Sequence, residues 1–393
     1  MTVRTDADRQ REDRELWMGR ARSMAGLITA EATGVEVAGT LTEPVLRALR
    51  DADVFWAMVP EQFGGHDVDI VVALELIEEI SRADGSVGWS LMANMTGAAA
   101  ACAYLPDDAL ETFFAGGARP IFAGMLSPKG TATAVDGGFT LSGQYQFGSG
   151  IAHSDWVAGG VFVRDGGKVT SRPSGEPDLR AFYVPRQGVN LLGNWDVLGL
   201  EGTGSFDYEI VEQFVSEEFG FWLPDPAAAR PNPSFQLGLV PFGGSGHGAV
   251  ALGIAVRAFE ELTQVVHEKR RPGMPGIIEQ QLFLHDYAEK EAELQAARAF
   301  FFGVFQSALE AAQSNGHVTA LQRQRLRQAV TYCTKVAAEI VHWCYTWSGS
   351  NGLRNPSPLG RCLRDISAAT QHMFVDPNSM VSVAPDLLAD WKR

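Results

Sequence analysis

The segment Arg364-Asp365-Ile366-Ser367-Ala368-Ala369-Thr370-Gln371-His372-Met373-Phe374 joins small and apolar residues to one Gln-His pair near the C-terminal end. It follows a turn of small residues that runs from Trp347 to Gly352. Because imidazole titrates near neutral pH, a histidine beside a cavity can take or give a proton there. A lone histidine is more often a structural or surface residue, so this segment alone leaves His372 open between catalysis and packing.

Composition bounds the class of protein. The 393 residues are enough for two or three packed domains. The net charge of −15 argues against a nucleic-acid partner, since phosphate binding needs clustered Lys and Arg. Four cysteines without CxxC spacing indicate reduced, buried thiols in a cytoplasmic protein, and no H-E-x-x-H motif predicts a metal site. The charged N-terminus lacks a secretion signal, and no run of ~18 apolar residues predicts a membrane span.

The hydrophobic period changes twice along the chain. Helical spacing up to about residue 118 gives way to short alternating segments separated by Gly-rich turns, and long helical patterns return after about residue 225. We therefore predict an α+β fold with three domains. These are an N-terminal helical domain (1–118), a central β-barrel or sandwich (119–225) and a C-terminal four-helix bundle (226–393). The last bundle helix is predicted to run from Pro358 to Phe374.

Two glycine-rich segments are candidates for a binding site. Gln144-Tyr145-Gln146-Phe147-Gly148-Ser149-Gly150 places an aromatic residue beside a Gly-Ser-Gly turn, which exposes backbone amides and one hydroxyl but also suits an ordinary strand connection. Gly243-Gly244-Ser245-Gly246-His247-Gly248-Ala249 contains G-x-G-x-x-A without a preceding strand of a βαβ unit. We interpret this second segment as the start of a tightly packed helix, so no nicotinamide site is predicted.

Two further features have two readings each. Trp195 lies in a turn-rich loop, where it either covers an aromatic cofactor or closes the edge of the domain. The cluster Lys269-Arg270-Arg271 either meets a phosphate or forms a solvated helix end.

Four segments in this order resemble the acyl-CoA dehydrogenase fold, and the resemblance covers nearly the whole chain. They are Pro60-Glu61-Gln62-Phe63-Gly64-Gly65, Gly137-Gly138-Phe139-Thr140-Leu141-Ser142-Gly143, Gly199-Leu200-Glu201-Gly202-Thr203-Gly204-Ser205 and the pair Arg364-Asp365. The fold implies a flavin between the β-domain and the C-terminal bundle, in a homotetramer. Dehydrogenases of this fold commonly carry a glutamate base nine residues after the arginine of the Arg-Asp pair. Met373 stands there, and a thioether cannot accept the proton.

His372 and the (aromatic)-x-Ser-Gly turn resemble instead the two-component flavin-dependent monooxygenases of this fold. The resemblance implies that Ser149 accepts or donates at flavin N5, that Phe147 packs on the ring, and that Ser127 lies near its pyrimidine edge. His372 would be an acid or base beside flavin C4a. The other residues assigned to the flavin are Gly148, Trp195, Arg271, Gly349 and Asn351.

The resemblance implies an oxygenase component that receives reduced flavin (FADH2 or FMNH2) from a separate NAD(P)H:flavin reductase. Dioxygen would add to give a C4a-hydroperoxide, which hydroxylates a bulky aromatic, heteroaromatic or heteroatom-containing small molecule. The substrate wall is predicted to comprise Trp89, Met92, Asn94, Met95 and Thr96. Two alternatives remain: an atypical acyl-CoA dehydrogenase with its base relocated to the helix predicted over Ile277–Gln313, and a non-catalytic flavin-binding or assembly subunit.

Overall fold

The computed structural model describes residues 6–224, 227–269 and 275–391, which form ten α-helices and eight strands. The N-terminal helices are α1 (Asp6–Ala38), α2 (Glu43–Asp51), α3 (Ile70–Ala83), α4 (Gly85–Tyr104) and α5 (Asp107–Phe113). The strands are β1 (Phe122–Val135), β2 (Gly138–Gly148), β3 (Trp156–Asp165), β4 (Lys168–Val169), β5 (Leu179–Pro185), β6 (Val189–Gly193), β7 (Phe206–Ser216) and β8 (Gly220–Trp222). The C-terminal helices are α6 (Leu239–Glu268), α7 (Gln281–Asn315), α8 (Ala320–Ser348), α9 (Pro358–Ala369) and α10 (Asn378–Asp390). The predicted α+β class is confirmed, and the domain boundaries, which bracket the strands, remain our proposal.

Helix α4 connects the N-terminal domain to both of its neighbours. Asp84 caps the helix because its carboxylate accepts the backbone N–H of Val87 at 3.1 Å. Almost every residue of α4 is buried, as expected for a helix that packs against α3, α6 and β1 at once. Its N-terminal half therefore lies where all three predicted domains meet.

The central domain is one mixed sheet with the strand order β6-β7-β2-β1-β3-β5-β8, and β4 pairs only with β3. Strands β1 and β3 are parallel, and the other pairs are antiparallel. The register between β1 and β3 shifts twice, between Met125 and Pro128 and again between Pro128 and Gly130. These shifts are β-bulges, which bend a strand and leave extra residues without a partner.

Helix α6 forms the centre of the C-terminal bundle and packs against α3, α4, α8 and α9. It is long and apolar enough to cross a membrane by composition, but 83% of its most apolar window is buried inside the protein, as in the core helix of a globular bundle. The run from Gly243 to Ala249 lies within α6. A side chain at Gly246 would collide with Met92, and one at Gly248 with Phe301, so the interpretation as close helix packing is confirmed.

Helix α9 ends at Ala369, so the predicted extension to Phe374 is wrong. His372 adopts an extended conformation (φ −78°, ψ 139°), and its imidazole accepts the backbone N–H of Phe374. This local side-chain bond caps a short 3-10 turn and competes with continuation of the α-helix. His372 therefore projects from a turn between α9 and α10.

Candidate active site

A cavity of about 410 Å³ lies where α4, the bulged part of β1, the end of β2, the start of α6 and the His372 turn meet. Seven of the predicted site residues line it: Trp89, Met92, Thr96, Ser127, Phe147, Ser149 and His372. The chain thus brings together residues up to 283 positions apart, from Trp89 to His372. The remaining described lining is mostly apolar and includes no Asp, Glu, Lys or Arg.

Helix α4 presents one face to the cavity. Trp89, Met92, Ala93, Thr96, Gly97 and Ala100 line it, at the three-to-four spacing of a helix. Asn94 and Met95, which are also predicted to belong to the substrate wall, do not line the cavity because these positions point away from that face. Met95 is fully buried, and the Asn94 amide donates to the Phe122 carbonyl at 2.8 Å and bonds to His153 Nε2 at 3.0 Å.

Asn94 supports the turn that carries Ser149. Gly150 has φ +69°, and a Cβ there would collide with the Asn94 side chain. The N–H of Gly150 donates to the Thr203 carbonyl at 3.0 Å. The turn is therefore fixed from both sides, against α4 and against the loop before β7.

Phe147 is held in a left-handed conformation (φ +63°), which is uncommon for an aromatic residue. The residue is 54% exposed, and its ring contacts Trp195 edge-on, with the ring centroids 6.3 Å apart. Strained backbone of this kind clusters at ligand sites, where the surrounding structure holds it in place. Phe147 thus presents a flat apolar face at the cavity edge.

Ser127 lies in the bulged segment of β1. Leu126 and Ser127 fall between the paired residues Met125 and Pro128, so neither has a partner in register on β3. Gly160 on β3 permits this arrangement, because a Cβ there would collide with the Leu126 carbonyl. Leu126 and Ser127 therefore line the cavity as bulged residues that lie outside the regular ladder of the sheet.

Four other described residues that were predicted to contact the cofactor do not line the cavity. Trp195 donates from Nε1 to the carbonyls of Leu200 and Glu201, so its indole braces that turn from outside the lining. Gly349 and Asn351 lie in the turn after α8, also outside the lining. Arg271 lies outside the described residues. Gly148, next to Ser149, packs under the ring of Tyr208 and does not line the cavity.

His372 is a neutral imidazole with a defined tautomer. Burial lowers its pKa from 6.5 to about 4. Nδ1 must be the acceptor of its 3.2 Å bond, because the backbone N–H of Phe374 can only donate. The proton of the neutral ring therefore resides on Nε2, which gives His372 a hydrogen-bond donor.

His247 on α6 is a site residue that sequence reasoning missed. It lines the cavity, and its ring lies 4.1 Å from that of His372 and 4.9 Å from that of Trp89, measured between centroids. Burial, and secondly the neighbouring His372, hold its pKa well below 6.5. Nδ1 must donate its 3.1 Å bond, because the Gly244 carbonyl only accepts. Nε2 of His247 is therefore a bare acceptor.

The two imidazoles consequently have opposite hydrogen-bonding roles at Nε2. His372 offers an N–H and His247 offers a lone pair, within one otherwise apolar cavity. Such a pair can orient a flat ligand that carries both a donor and an acceptor. Met373 also lines the cavity but is 63% exposed, and the described lining holds no carboxylate that could abstract a carbon-bound proton.

The family descriptions "Acyl-CoA dehydrogenase, N-terminal domain" and "Acyl-CoA dehydrogenase, C-terminal domain" match residues 11–110 and 245–377. The chain is 32% identical over 340 residues to an indole-3-acetate monooxygenase of Pseudomonas putida, covering 85% of this chain and 84% of the relative. It is 24% identical over 371 residues to the flavin-dependent monooxygenase oxygenase subunit HsaA of Rhodococcus jostii, covering 92% and 94%. The structure of XiaF from Streptomyces sp., in complex with FADH2 and glycerol, superposes with a TM-score of 0.88 at 18% identity, covering 98% of each chain.

Both the relatives and the absence of a carboxylate at position 373 favour a monooxygenase over a dehydrogenase. The match at 32% identity covers more than two thirds of a monooxygenase, and the base that a dehydrogenase of this fold needs is replaced by Met373. The alternative of a relocated base on α7 is set aside, since α7 contributes no residue to the described lining. The chain belongs to the acyl-CoA dehydrogenase family, in its branch of flavin-dependent monooxygenase oxygenase components.

Proposed function

We propose that this oxygenase component hydroxylates a neutral, fused heteroaromatic ring of the indole class, bound between α4 and α6. The observation that carries the proposal is the pair of imidazoles, of which one presents a hydrogen-bond donor and the other an acceptor to the cavity. The ring nitrogen of an indole donates a hydrogen bond and cannot accept one. The Nε2 lone pair of His247 is suited to accept that hydrogen bond. The indole-3-acetate monooxygenase relative supports the same substrate class.

The residues present fit a flavin on the β-domain side of the cavity. The bulge at Leu126 and Ser127 supplies backbone polar groups without sheet partners, Phe147 supplies a flat face, and Ser149 supplies a hydroxyl. We assign Ser149 to flavin N5 and Ser127 to the pyrimidine edge. When bound, reduced flavin supplies the electrons that activate dioxygen for transfer of one oxygen atom to the substrate.

The chain's own residues then bind, orient and exclude water. Trp89, Met92 and Phe374 provide apolar walls, which favour an uncharged aromatic substrate and keep a reactive site dry. His247 holds the substrate N–H. His372 donates from Nε2 to the reacting oxygen, and its bond to the Phe374 N–H fixes the direction of that donor.

Partners and compartment follow from the same reading. An oxygenase component needs a separate flavin reductase, and we assign that reductase to an NAD(P)H-dependent enzyme. The four cysteines are buried and unpaired, which suits the cytoplasm. Exposed apolar side chains on and beside α10, at Val381, Leu388 and Trp391, support assembly into a homotetramer.

The function is tested by mixing the purified chain, indole and chemically reduced FMN or FAD with oxygen-18-labelled dioxygen. We expect one labelled oxygen atom in the organic product by mass spectrometry, with no reductase needed once reduced flavin is supplied. A product that carries no label, or bleaching of bound flavin by an acyl-CoA without oxygen, would contradict the proposal.

The role of His247 is tested with His247→Phe, which keeps an aromatic ring beside Trp89 but removes the acceptor. Loss of one neutral hydrogen bond is worth about 1 kcal/mol, so kcat/KM for indole is expected to fall about fivefold to tenfold relative to that for N-methylindole. N-methylindole has no N–H and serves as the internal reference, so a general disturbance of the cavity cancels in the ratio. An unchanged ratio would refute the assignment.

A further inference from the structure

Behind Ser149 lies a row of three hydroxyl groups that runs into the interior. Ser149 Oγ is 2.7 Å from Ser205 Oγ, and Ser205 Oγ is 2.8 Å from Thr203 Oγ1. Thr203 Oγ1 is in turn 2.7 Å from the Leu200 carbonyl oxygen. Thr203 and Ser205 are buried, with 1% and 2% of their surface exposed.

The directions of the protons in this row follow from counting. A carbonyl oxygen only accepts, so the single proton of Thr203 is committed to Leu200. The contact between Ser205 and Thr203 then needs the proton of Ser205, and the contact between Ser149 and Ser205 needs the proton of Ser149. Each of the three oxygen-oxygen contacts needs one proton, and the three hydroxyl groups have three protons in total. Only this arrangement therefore gives every contact a hydrogen bond.

Ser149 is thereby left as an acceptor only. Its proton points inward to Ser205, and the indole N–H of Trp89 donates to its oxygen at 3.1 Å. The oxygen still has one lone pair for a ligand, while no proton remains to donate.

We propose that Thr203 and Ser205 are positioning residues that orient the Ser149 proton, so that the site selects reduced over oxidised flavin. The inference rests on the proposed placement of Ser149 at flavin N5. Reduced flavin carries a proton on N5 and is a donor there, whereas N5 of oxidised flavin is a bare acceptor. If Ser149 can only accept, it can form a hydrogen bond with N5–H of reduced flavin. Towards oxidised flavin, the Ser149 oxygen and N5 would present lone pairs to each other and repel.

The test uses Thr203→Val, which keeps the shape of the side chain and removes its hydroxyl. Ser205 is then free to donate to Ser149, which releases the Ser149 proton for the ligand. The Leu200 carbonyl keeps its bonds from the backbone N–H of Thr203 and from Trp195, so the turn remains satisfied. Ser205→Ala releases the same proton directly, and Thr203→Ser, which retains the hydroxyl, is the matched control.

The measurement is the pair of dissociation constants for oxidised FMN and for dithionite-reduced FMN, determined anaerobically by fluorescence titration. We expect the dissociation constant of oxidised FMN divided by that of reduced FMN to fall about tenfold in Thr203→Val and Ser205→Ala, mainly because oxidised FMN binds more tightly. The same ratio should stay at the wild-type value in Thr203→Ser. Equal weakening of both redox states would mean a merely structural role and would overturn the inference. If the wild-type chain binds neither state of FMN or FAD, the proposed function itself fails.

Discussion

Replacing His372 by alanine is expected to lower indole hydroxylation about 100-fold, the effect typical of deleting one preorganised donor from a dry active site. The imidazole lines the cavity, and its tautomer is fixed by the backbone N–H of Phe374. Loss of the Nε2 donor should divert consumed oxygen into hydrogen peroxide. The measurement is the ratio of hydroxylated product to hydrogen peroxide at equal oxygen consumption.

His372→Gln is the matched control because its amide can place an N–H near the former Nε2. We expect it to recover part of the product, while binding of reduced FMN stays near the wild-type value in both variants. Undiminished product in His372→Ala would show that the imidazole does not assist oxygen transfer.

Because of the same histidine, the hydroxylation activity should be independent of pH around neutrality. Since burial lowers its pKa to about 4, His372 stays neutral down to about pH 5, and its donor is present throughout. A cationic acid would instead give activity that rises as the pH falls through 6.5. Folding stability responds in the acid range, because unfolded His372 takes up a proton near pH 6.5 and the folded ring does so only near pH 4. The stability contribution is thus present above pH 6.5 and is lost as the pH falls toward 4.

Much of this site could be predicted because its information is local in the chain. Phe147-Gly148-Ser149-Gly150 and the Gln371-His372 pair combine turn formers with chemistry-bearing side chains. The long helical periods predicted after about residue 225 correspond to helices α6, α7 and α8. The α–β–α order followed from the change of period.

The parts that could not be predicted depend on contacts between distant elements. His247 lies in a run of glycines that the sequence explains by close helix packing. Its neighbour in the site, His372, lies 125 residues later, and the two rings meet only because α6 packs against the His372 turn. The course of strand β1 could not be predicted because Ser127-Pro128-Lys129-Gly130 has the composition of a turn, whereas the sheet accommodates this segment with two bulges. Asn94 and Met95 differ from these cases, because helical spacing from Trp89 and Met92 would have excluded them.

Asp365 links the stability of the fold to this site. It is buried beside Asp84, and its Oδ1 accepts the backbone N–H of Leu200 at 2.7 Å, in the turn that anchors the hydroxyls behind Ser149. Burial, and secondly the neighbouring Asp84, raise its pKa from 3.8 to about 8. The pKa of Asp84 rises to about 6, chiefly through burial. Asp365 is therefore protonated at neutral pH, as expected for two carboxyl groups that share one buried site.

Asp365→Asn should reproduce the protonated form and stabilise the protein at alkaline pH. Both folded pKa values exceed 3.8, so the folded state binds more protons than the unfolded state, and stability is lost as the pH rises from about 4 to about 8. Urea denaturation at pH 6 and pH 9 should show that the asparagine variant lacks most of this loss.

Asp365→Ala separates the hydrogen bond from the charge. The alanine variant leaves the Leu200 N–H without its acceptor, and we expect it to be about 1–3 kcal/mol less stable than wild type at pH 6, where the asparagine variant is near wild type. Asp84→Asn, which keeps an acceptor for the cap of α4, removes the neighbouring charge and so lowers the pKa of Asp365, and the loss of stability with rising pH should therefore be smaller and end at lower pH. Equal pH dependence in wild type and Asp365→Asn would mean that this carboxyl group is already ionised at neutral pH. Its charge would then be compensated by Arg361, which lines a separate cavity of about 200 Å³ together with Asp84 and Asp365.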